Sequence, residues 1–161
     1  MNLRGIKSKI LVPEFIDLIK SNDVFICLES KTDDLDVINL PDGYSYIAKH
    51  RKSCRKKSGG IIVIYKNTLK SNMCFVSSDS EFVQRVKFLN TPEHNQTFLL
   101  GCVYIPPANS KYSTIDAFDE IEYEFISFQD NTNYGALIGD FNSRTSVLQD
   151  YFIPNENLMY I

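Results

Sequence analysis

Residues 136–142 read Ala-Leu-Ile-Gly-Asp-Phe-Asn, a short apolar run that ends in a carboxylate and an amide, Asp140 and Asn142. A brief apolar run bounded by polar residues predicts a buried β-strand. Two more runs of this kind, Phe25–Leu28 and Leu99–Val103, also end at a polar side chain. Strands that end in polar groups are typical of an α/β fold, in which ligands bind at the strand ends.

The polar groups after these strands are the candidate site residues. Glu29 follows the first run, Tyr104 follows the second, and Asp140 and Asn142 follow the third. Taken singly, each is more often a solvated turn residue, and Asp-x-Asn pairs are common in turns. Together, two carboxylates and an amide suit Mg²⁺ or Mn²⁺ rather than zinc, because hard cations prefer oxygen ligands. The natural partner of such an ion is a phosphate.

Hydrophobic periodicity predicts two helices and seven strands. One helix begins at Pro13, which suits a first helical position, and extends to residues 21–22. The other follows a capping-box-like sequence, Ser113–Asp116, and carries apolar residues at intervals of three and four. The strands are expected at Asp23–Leu28, Tyr44–Lys49, Gly60–Tyr65, Met73–Val76, Glu81–Phe88, Phe98–Tyr104 and Ala136–Gly139.

The bulk composition indicates one intracellular globular domain. A chain of 161 residues with 43% hydrophobic residues is long and apolar enough to build one core. Its formal net charge of −3 excludes a global basic field, so contact with nucleic acid requires a local patch. No stretch is apolar enough to cross a bilayer, and the chain does not begin with a secretory signal. We therefore expect a protein of the nucleus or cytoplasm, with no membrane partner and with free cysteine thiols.

Four short elements occur in the order and at the intervals of a known family. They are residues 2–6 (NLRGI), similar to N-V-x-G-L; residues 28–31 (LESK), similar to Q-E-T-K; residues 104–107 (YIPP), similar to Y-x-P; and residues 139–142 (GDFN), similar to G-D-F-N. The chain thus resembles the N-terminal part of an endonuclease/exonuclease/phosphatase domain. Residues 55–61 (RKKSGGI) and 103–107 (VYIPP) further resemble the apurinic-endonuclease-like domain found next to reverse transcriptases in non-LTR retrotransposons.

The resemblance implies an α/β fold that forms part of a four-layer sandwich. Residues 1–161 would be a single incomplete domain, containing the first β-sheet with its outer helices and lacking the C-terminal part. One apolar face of that sheet would then be uncovered, and self-association through it would follow. The expected partners are the C-terminal remainder of the domain, or a reverse transcriptase in a parent polyprotein.

The resemblance also implies a role for each matching residue. Glu29 would be the central ligand of Mg²⁺ or Mn²⁺, with Asn2 and Asp140 close to the same ion. Asp140 and Asn142 would orient or activate the attacking water, and Tyr104 would donate a hydrogen bond to the scissile phosphate. The reaction implied is hydrolysis of a phosphodiester, with nicking of DNA as the leading function.

The sequence departs from the family pattern in two places. Pro107 stands where the family has an asparagine after Y-x-P, and Asn109 lies two residues further on. The later S-D-H element is missing, since the two histidines, His50 and His94, lie in other contexts. We therefore expect the isolated chain to be truncated and impaired, with weak or no activity.

A basic segment lies between the second and third predicted strands of a protein that is acidic overall. Six cations fall within nine residues, and they are Lys49, Arg51, Lys52, Arg55, Lys56 and Lys57. Such clusters attract the phosphate backbone of DNA without reading its sequence. On composition alone a solvated hairpin loop explains them equally well, and the resemblance favours DNA binding by Arg51, Lys52, Arg55, Lys56 and Lys57.

Two alternative functions stay open from the sequence. One is a phosphatase or an RNA nuclease of the same fold, because the metal motifs do not identify the substrate. The other is a degenerate, non-catalytic fragment that binds nucleic acid or a partner chain.

Overall fold

The computed structural model describes residues 1–51, 57–89, 96–129 and 134–143, with only the backbone of residues 128 and 129. In these residues the elements are α1 (Pro13–Lys20), β1 (Val24–Leu28), β2 (Tyr44–Lys49), β3 (Ile61–Lys66), β4 (Met73–Val76), β5 (Val83–Phe88), β6 (Phe98–Tyr104), α2 (Ala117–Gln129) and β7 (Tyr134–Asp140). Short 3-10 helices lie at Lys9–Leu11 and Asn67–Leu69. Each predicted strand is present, with both boundaries within two residues of the prediction.

The strands of the described chain form two sheets. Sheet A has the order β1-β3-β2 and is antiparallel throughout. Sheet B has the order β4-β5-β6-β7, in which β6 and β7 are parallel and the other pairs are antiparallel. The expectation that the chain contains only the first sheet is therefore wrong. The 3-10 helix at Asn67–Leu69 separates β3 from β4, and β4 pairs with β5 rather than with sheet A.

The two sheets pack face to face, and the main core lies between them. Alternate residues of β3, namely Ile61, Val63 and Tyr65, point into this core, where they meet Val86 of β5 and Cys102 of β6. The apolar face of sheet A that we expected to be uncovered is thus covered by sheet B. The uncovered face was the physical reason for expecting self-association, and that reason no longer holds. Self-association itself stays an untested prediction.

Each helix covers the outer face of one sheet. Phe15 and Ile19 of α1 lie one helical turn apart and pack on the outward residues of sheet A. Ala117 and Ile121 of α2 do the same on sheet B. The layers therefore follow in the order helix, sheet, sheet, helix, which confirms the predicted partial α/β sandwich. No helix in the described residues is long and apolar enough to span a membrane.

Helix α2 is present where its sequence predicted it, but the capping-box-like residues before it form a turn. The helix begins at Ala117, directly after the capping-box-like sequence Ser113–Asp116. Thr114 Oγ1 accepts a hydrogen bond from the backbone N–H of Asp116 at 3.0 Å, which closes a turn instead of capping a helix. The carbonyl of Asp116 accepts the helical hydrogen bond from the N–H of Glu120 at 2.9 Å.

The described cysteines are free thiols, as expected. Cys27 and Cys102 are buried, and burial raises the pKa of each thiol to about 12. Thiols with so high a pKa are poor nucleophiles and metal ligands. Cys27 and Cys102 therefore act as small apolar residues of the core.

Candidate active site

The three predicted strand ends meet at one edge of the sandwich. Tyr104 and Asp140 are the last residues of β6 and β7, and they are direct partners in the parallel ladder. Glu29 follows β1 of the other sheet, which packs against β6. These three side chains line a single cavity of about 640 Å³, together with Asn2 and Asn142. The structure thus brings together the residues that the sequence proposed as catalytic or metal-binding.

The first residues of the chain hold Asn2 beside the strand ends. Leu28 donates its N–H to the carbonyl of Met1 at 2.8 Å, and Leu3 donates to the carbonyl of Leu28 at 2.9 Å. Asn2 is therefore fixed as a parallel bridge to the end of β1. Its Nδ2 donates to Asp140 Oδ2 at 2.9 Å, which joins the edge of sheet A to the edge of sheet B.

Asp140 and Asn142 form a tight turn with a fixed orientation. The N–H of Asn142 donates to Asp140 Oδ1 at 3.2 Å. Asn142 Nδ2 donates to the carbonyl of Ile105 at 2.7 Å, and Ile105 N–H donates to the carbonyl of Asp140 at 2.9 Å. Both oxygens of the Asp140 carboxylate thus accept a hydrogen bond. The carboxylate is held in place without a counter-ion of its own in the described residues.

Backbone strain is concentrated at this cavity. The non-glycine residues with positive φ in the described chain are Arg4 at 53°, Glu29 at 54°, Lys31 at 54° and Asn142 at 44°. All four line the cavity. Such conformations cost on the order of 1–3 kcal/mol each and cluster at functional sites. No sequence pattern predicted this strain, which is independent support for a functional role.

The unusual backbone at Glu29 is stabilised by the N-terminal segment. Gly5 donates its N–H to the carbonyl of Glu29 at 2.9 Å, and its own φ of +118° lies where side chains are strained. The Glu29 carboxylate is 3.1 Å from Lys31 Nζ, and one fifth of its side chain is exposed. Glu29 is therefore oriented by an ion pair and remains accessible from the cavity.

Tyr104 is a buried phenol next to two carboxylates. Burial raises its pKa first, the charge of Glu29 raises it further, Arg51 opposes the rise, and Asp140 adds to it. The hydroxyl therefore stays protonated across the neutral range and can act as a hydrogen-bond donor. The charges of Glu29 and Asp140, the two predicted carboxylate ligands, both raise the pKa of Tyr104, so its hydroxyl lies near both of them.

The oxygen donors at this cavity fit a hard cation. Glu29 and Asp140 supply carboxylates and Asn2 supplies an amide, which is the chemistry that Mg²⁺ and Mn²⁺ prefer. In the described residues no group of three or more His, Cys, Asp or Glu side chains is arranged to hold a metal. Two carboxylates with waters and substrate oxygens are a typical ligand set for Mg²⁺.

The described cations of the basic segment have different environments. Lys57 lies at the cavity but pairs with Asp33 at 2.8 Å and with Asp36 at 2.7 Å. Arg51 also lines the cavity, with only 5% of its side chain exposed. The other predicted DNA-binding residues, Lys52, Arg55 and Lys56, lie outside the described residues.

Several residues at the cavity were missed by sequence reasoning. Arg4, Lys111 and Tyr112 line it from loops, where no periodicity signals a function. Pro107 and Asn109, at the departure from the family pattern, line it too. None of the described lining residues is a histidine. His50 lies at a neighbouring cavity, with Nδ1 3.2 Å from Thr32 Oγ1, and His94 lies outside the described part of the chain.

No family model matches the sequence, and no curated protein matches it. Solved structures do match. The catalytic domain of human Nocturnin with bound sulfate aligns with a TM-score of 0.53 and 12% identity, over 84% of this chain and 56% of that domain.

Two further structures show weaker similarity. An endonuclease/exonuclease/phosphatase family protein from Leptotrichia buccalis has a TM-score of 0.46 and 16% identity, over 84% of this chain and 59% of its own. A humanized D. rerio TDP2 with 14 mutations has a TM-score of 0.45 and 13% identity, over 90% of this chain and 61% of its own. The chain thus spans 56% to 61% of the length of these proteins. The described residues share part of the α/β sandwich fold of the Nocturnin catalytic domain.

Proposed function

We propose that this chain carries the metal-binding half of a phosphodiester hydrolase. We further propose that the hydrolase is a DNA-nicking endonuclease of the non-LTR retrotransposon type. The observation that supports this best is the meeting of Glu29 and Asp140, from two different sheets, on one cavity with Asn2 and Tyr104. Chain segments far apart in sequence supply these groups, so ordinary turn chemistry does not explain their convergence.

The residues divide into metal ligands and groups that act on the substrate. Glu29, Asp140 and the amide of Asn2 would hold Mg²⁺ or Mn²⁺, which when bound neutralises charge that grows on the phosphate oxygens. Tyr104, kept protonated, would donate a hydrogen bond to the same phosphate. Asp140 and Asn142, held rigidly in their turn, would orient the attacking water.

A polyanionic substrate suits the charge of the cavity. Its lining includes five cations, although the whole chain has a net charge of −3, and they are Arg4, Lys31, Arg51, Lys57 and Lys111. A local concentration of positive charge favours phosphate groups and gives binding that weakens as salt rises. This supports an anionic phosphate ester, such as DNA, over an uncharged ester as the substrate class.

We expect the isolated chain to be a weak catalyst. None of the described residues that line the cavity is a histidine, so they include no imidazole to protonate the leaving oxygen. The segment that supplies this acid would come from the remainder of the domain, and a reverse transcriptase in the same polyprotein would be a natural neighbour.

The substrate can be tested with supercoiled plasmid and with a small phosphate monoester, each in the presence of Mg²⁺. A nuclease converts the plasmid to the nicked form and releases little phosphate from the monoester. A phosphatase of the same fold shows the reverse preference. Equal or higher specificity for the monoester would contradict the DNA assignment and leave the hydrolase assignment intact.

The catalytic claim is tested with Glu29→Gln and Asp140→Asn, which remove charge but keep size. Both should abolish the metal-dependent nicking of the wild-type chain. Asp17→Asn, at an exposed carboxylate on α1, is the matched control and should keep the wild-type level of activity. If neither the wild-type chain nor any variant nicks DNA, the chain is a non-catalytic binding fragment. If both carboxylate variants nick DNA as the wild type does, Glu29 and Asp140 are not the catalytic carboxylates.

A further inference from the structure

Arg51 is more deeply buried than a cation that attracts DNA at long range needs to be. Its side chain is nearly buried, with 5% exposed, although the residue belongs to a strongly basic segment. It lines the candidate active site and also a neighbouring cavity of about 740 Å³. Arg51 therefore lies at the boundary between the predicted reaction centre and a second space next to it.

Three separate segments fix the Arg51 guanidinium. Its Cζ lies 4.8 Å above the centre of the Tyr112 ring, and its Nε lies 3.9 Å from Glu81 Oε2. A Cβ added at Gly59 would be only 2.9 Å from Arg51 Cζ, so the backbone there leaves room for the guanidinium because the residue is a glycine. A surface cation that attracts DNA at long range gains nothing from such an arrangement.

The pairing with Glu81 does not by itself explain the arrangement. The distance of 3.9 Å is at the outer limit of an ion pair, and a third of the Glu81 side chain is exposed. Such pairs contribute little to stability. The contact also involves Nε, whereas the terminal nitrogens carry four of the five N–H donors in the fork that matches a phosphate.

Arg51 borders the same cavity as the predicted reacting groups. The charge of Arg51 lowers the pKa of Tyr104, against the effect of burial and of the two carboxylates. Arg51 and Tyr104 line the same cavity. Both side chains therefore border the space in which the proposed substrate phosphate would bind.

We propose that Arg51 binds a non-bridging oxygen of the scissile phosphate, as a partner of Tyr104, rather than a distant phosphate of the DNA backbone. The inference rests on the proposed hydrolase function and assigns to Arg51 a direct contact with the reacting group. The Tyr112 ring beneath the guanidinium helps to orient its planar fork, and a lysine ammonium has no such fork to present.

Bis(p-nitrophenyl) phosphate tests this contact, because it contains one phosphate and no flanking ones. Arg51→Gln should lower kcat/KM by about 100-fold on this diester and by a similar factor on plasmid, as for loss of one transition-state donor. Arg51→Lys should recover less than a tenth of the loss. A loss on plasmid with unchanged hydrolysis of the small diester would overturn the proposal, because Arg51 would then contact only flanking phosphates.

The matched control is Glu81→Gln, which removes the ion-pair partner but leaves the guanidinium in place. It should retain or increase activity on the small diester, since Arg51 loses a competing anion. Equal losses in Glu81→Gln and Arg51→Gln would show that Arg51 acts only as the partner of Glu81, and would contradict the proposal.

Binding of inorganic phosphate in EDTA separates this inference from the proposed function. Phosphate should raise the melting temperature of the wild-type chain and of Glu81→Gln, and this rise should disappear in Arg51→Gln. If phosphate binds through Arg51 but wild type hydrolyses no diester, the anion site stands and the hydrolase proposal fails. If wild type hydrolyses the diester but Arg51→Gln equals it in both assays, only the Arg51 inference fails.

Discussion

At the scale of single residues, the candidate site combines strained backbone with fixed side chains. Glu29 and Asn142 both have positive φ, which costs free energy unless the surroundings impose it. Hydrogen bonds from Gly5 to Glu29 and from Asn142 to Ile105 provide that support. The strain is therefore maintained where the predicted ligands need a defined orientation, which is the preorganisation that catalysis requires.

Tyr104→Phe tests the donor role of the phenol. The variant should lower the metal-dependent nicking rate by about 100-fold, because one hydrogen-bond donor to the phosphate is lost. Its free energy of unfolding should change by less than roughly 1 kcal/mol, because the ring stays in place. The measurements are initial nicking rates and urea unfolding.

Tyr65→Phe is the control for that substitution, because Tyr65 is another buried tyrosine of the same core and does not line the cavity. It should leave the nicking rate unchanged. Equal activity of the Tyr104 and Tyr65 variants would show that the Tyr104 hydroxyl has no part in the reaction.

At the scale of elements, local patterns predicted the strands, but pairing required the structure. The run before Glu29 and the run before Asp140 each indicated a strand, and both strands are present. Their placement in different sheets depends on contacts between distant segments, which periodicity does not report. The local structure before α2 also required coordinates, because Thr114 uses its hydroxyl in a turn. The positive φ values of Arg4, Glu29, Lys31 and Asn142 could not be predicted from the sequence either.

Asp36 anchors the end of the basic segment through Lys57 and Lys7. Hydrogen bonds from Lys57 and then Lys7 hold the pKa of the Asp36 carboxyl well below its usual range. A depressed pKa stabilises the fold above the unfolded value of about 3.9. That stabilisation is lost as the pH falls below that value.

Asp36→Asn should therefore be less stable than wild type at pH 7, and the difference should shrink as the pH falls below about 4. Unfolding in urea at pH 7 and pH 3 measures this. Asp34→Asn is the control, because 98% of that neighbouring side chain is exposed, and it should change little at either pH. A difference for Asp36→Asn that is the same at both pH values would contradict the role of its charge.

Gly139 lets β7 approach β6 closely enough to place Asp140 beside Tyr104. A Cβ at residue 139 would lie 1.9 Å from the carbonyl oxygen of Val103, its partner in the ladder. Gly139→Ala should lower the free energy of unfolding by roughly 3 kcal/mol and reduce nicking, because the strand end must move.

Gly43→Ala is the comparison for Gly139→Ala. It has a positive φ of +85° but nothing within 4 Å of the added Cβ, so it should cost only about 1 kcal/mol. Urea unfolding of both variants measures whether Gly139→Ala loses more free energy of unfolding than Gly43→Ala. Equal costs would show that the close approach of β6 and β7 is not what restricts position 139.

At the scale of the whole molecule, the site lies where the two sheets meet. Sheet A supplies Glu29 and the paired residue Asn2, and sheet B supplies Tyr104 and Asp140. A cation held by both carboxylates would connect the two layers of the sandwich. Binding of that cation to the folded chain should raise its stability with the logarithm of the ratio of the free ion concentration to the Kd.

Titration with Mn²⁺, followed by electron paramagnetic resonance, tests the shared cation site most directly. The wild-type chain should bind one ion, and Glu29→Gln and Asp140→Asn should each weaken that binding by at least about tenfold. Asp17→Asn should bind as wild type does. If either carboxylate variant kept the wild-type affinity, Glu29 and Asp140 would not share a cation.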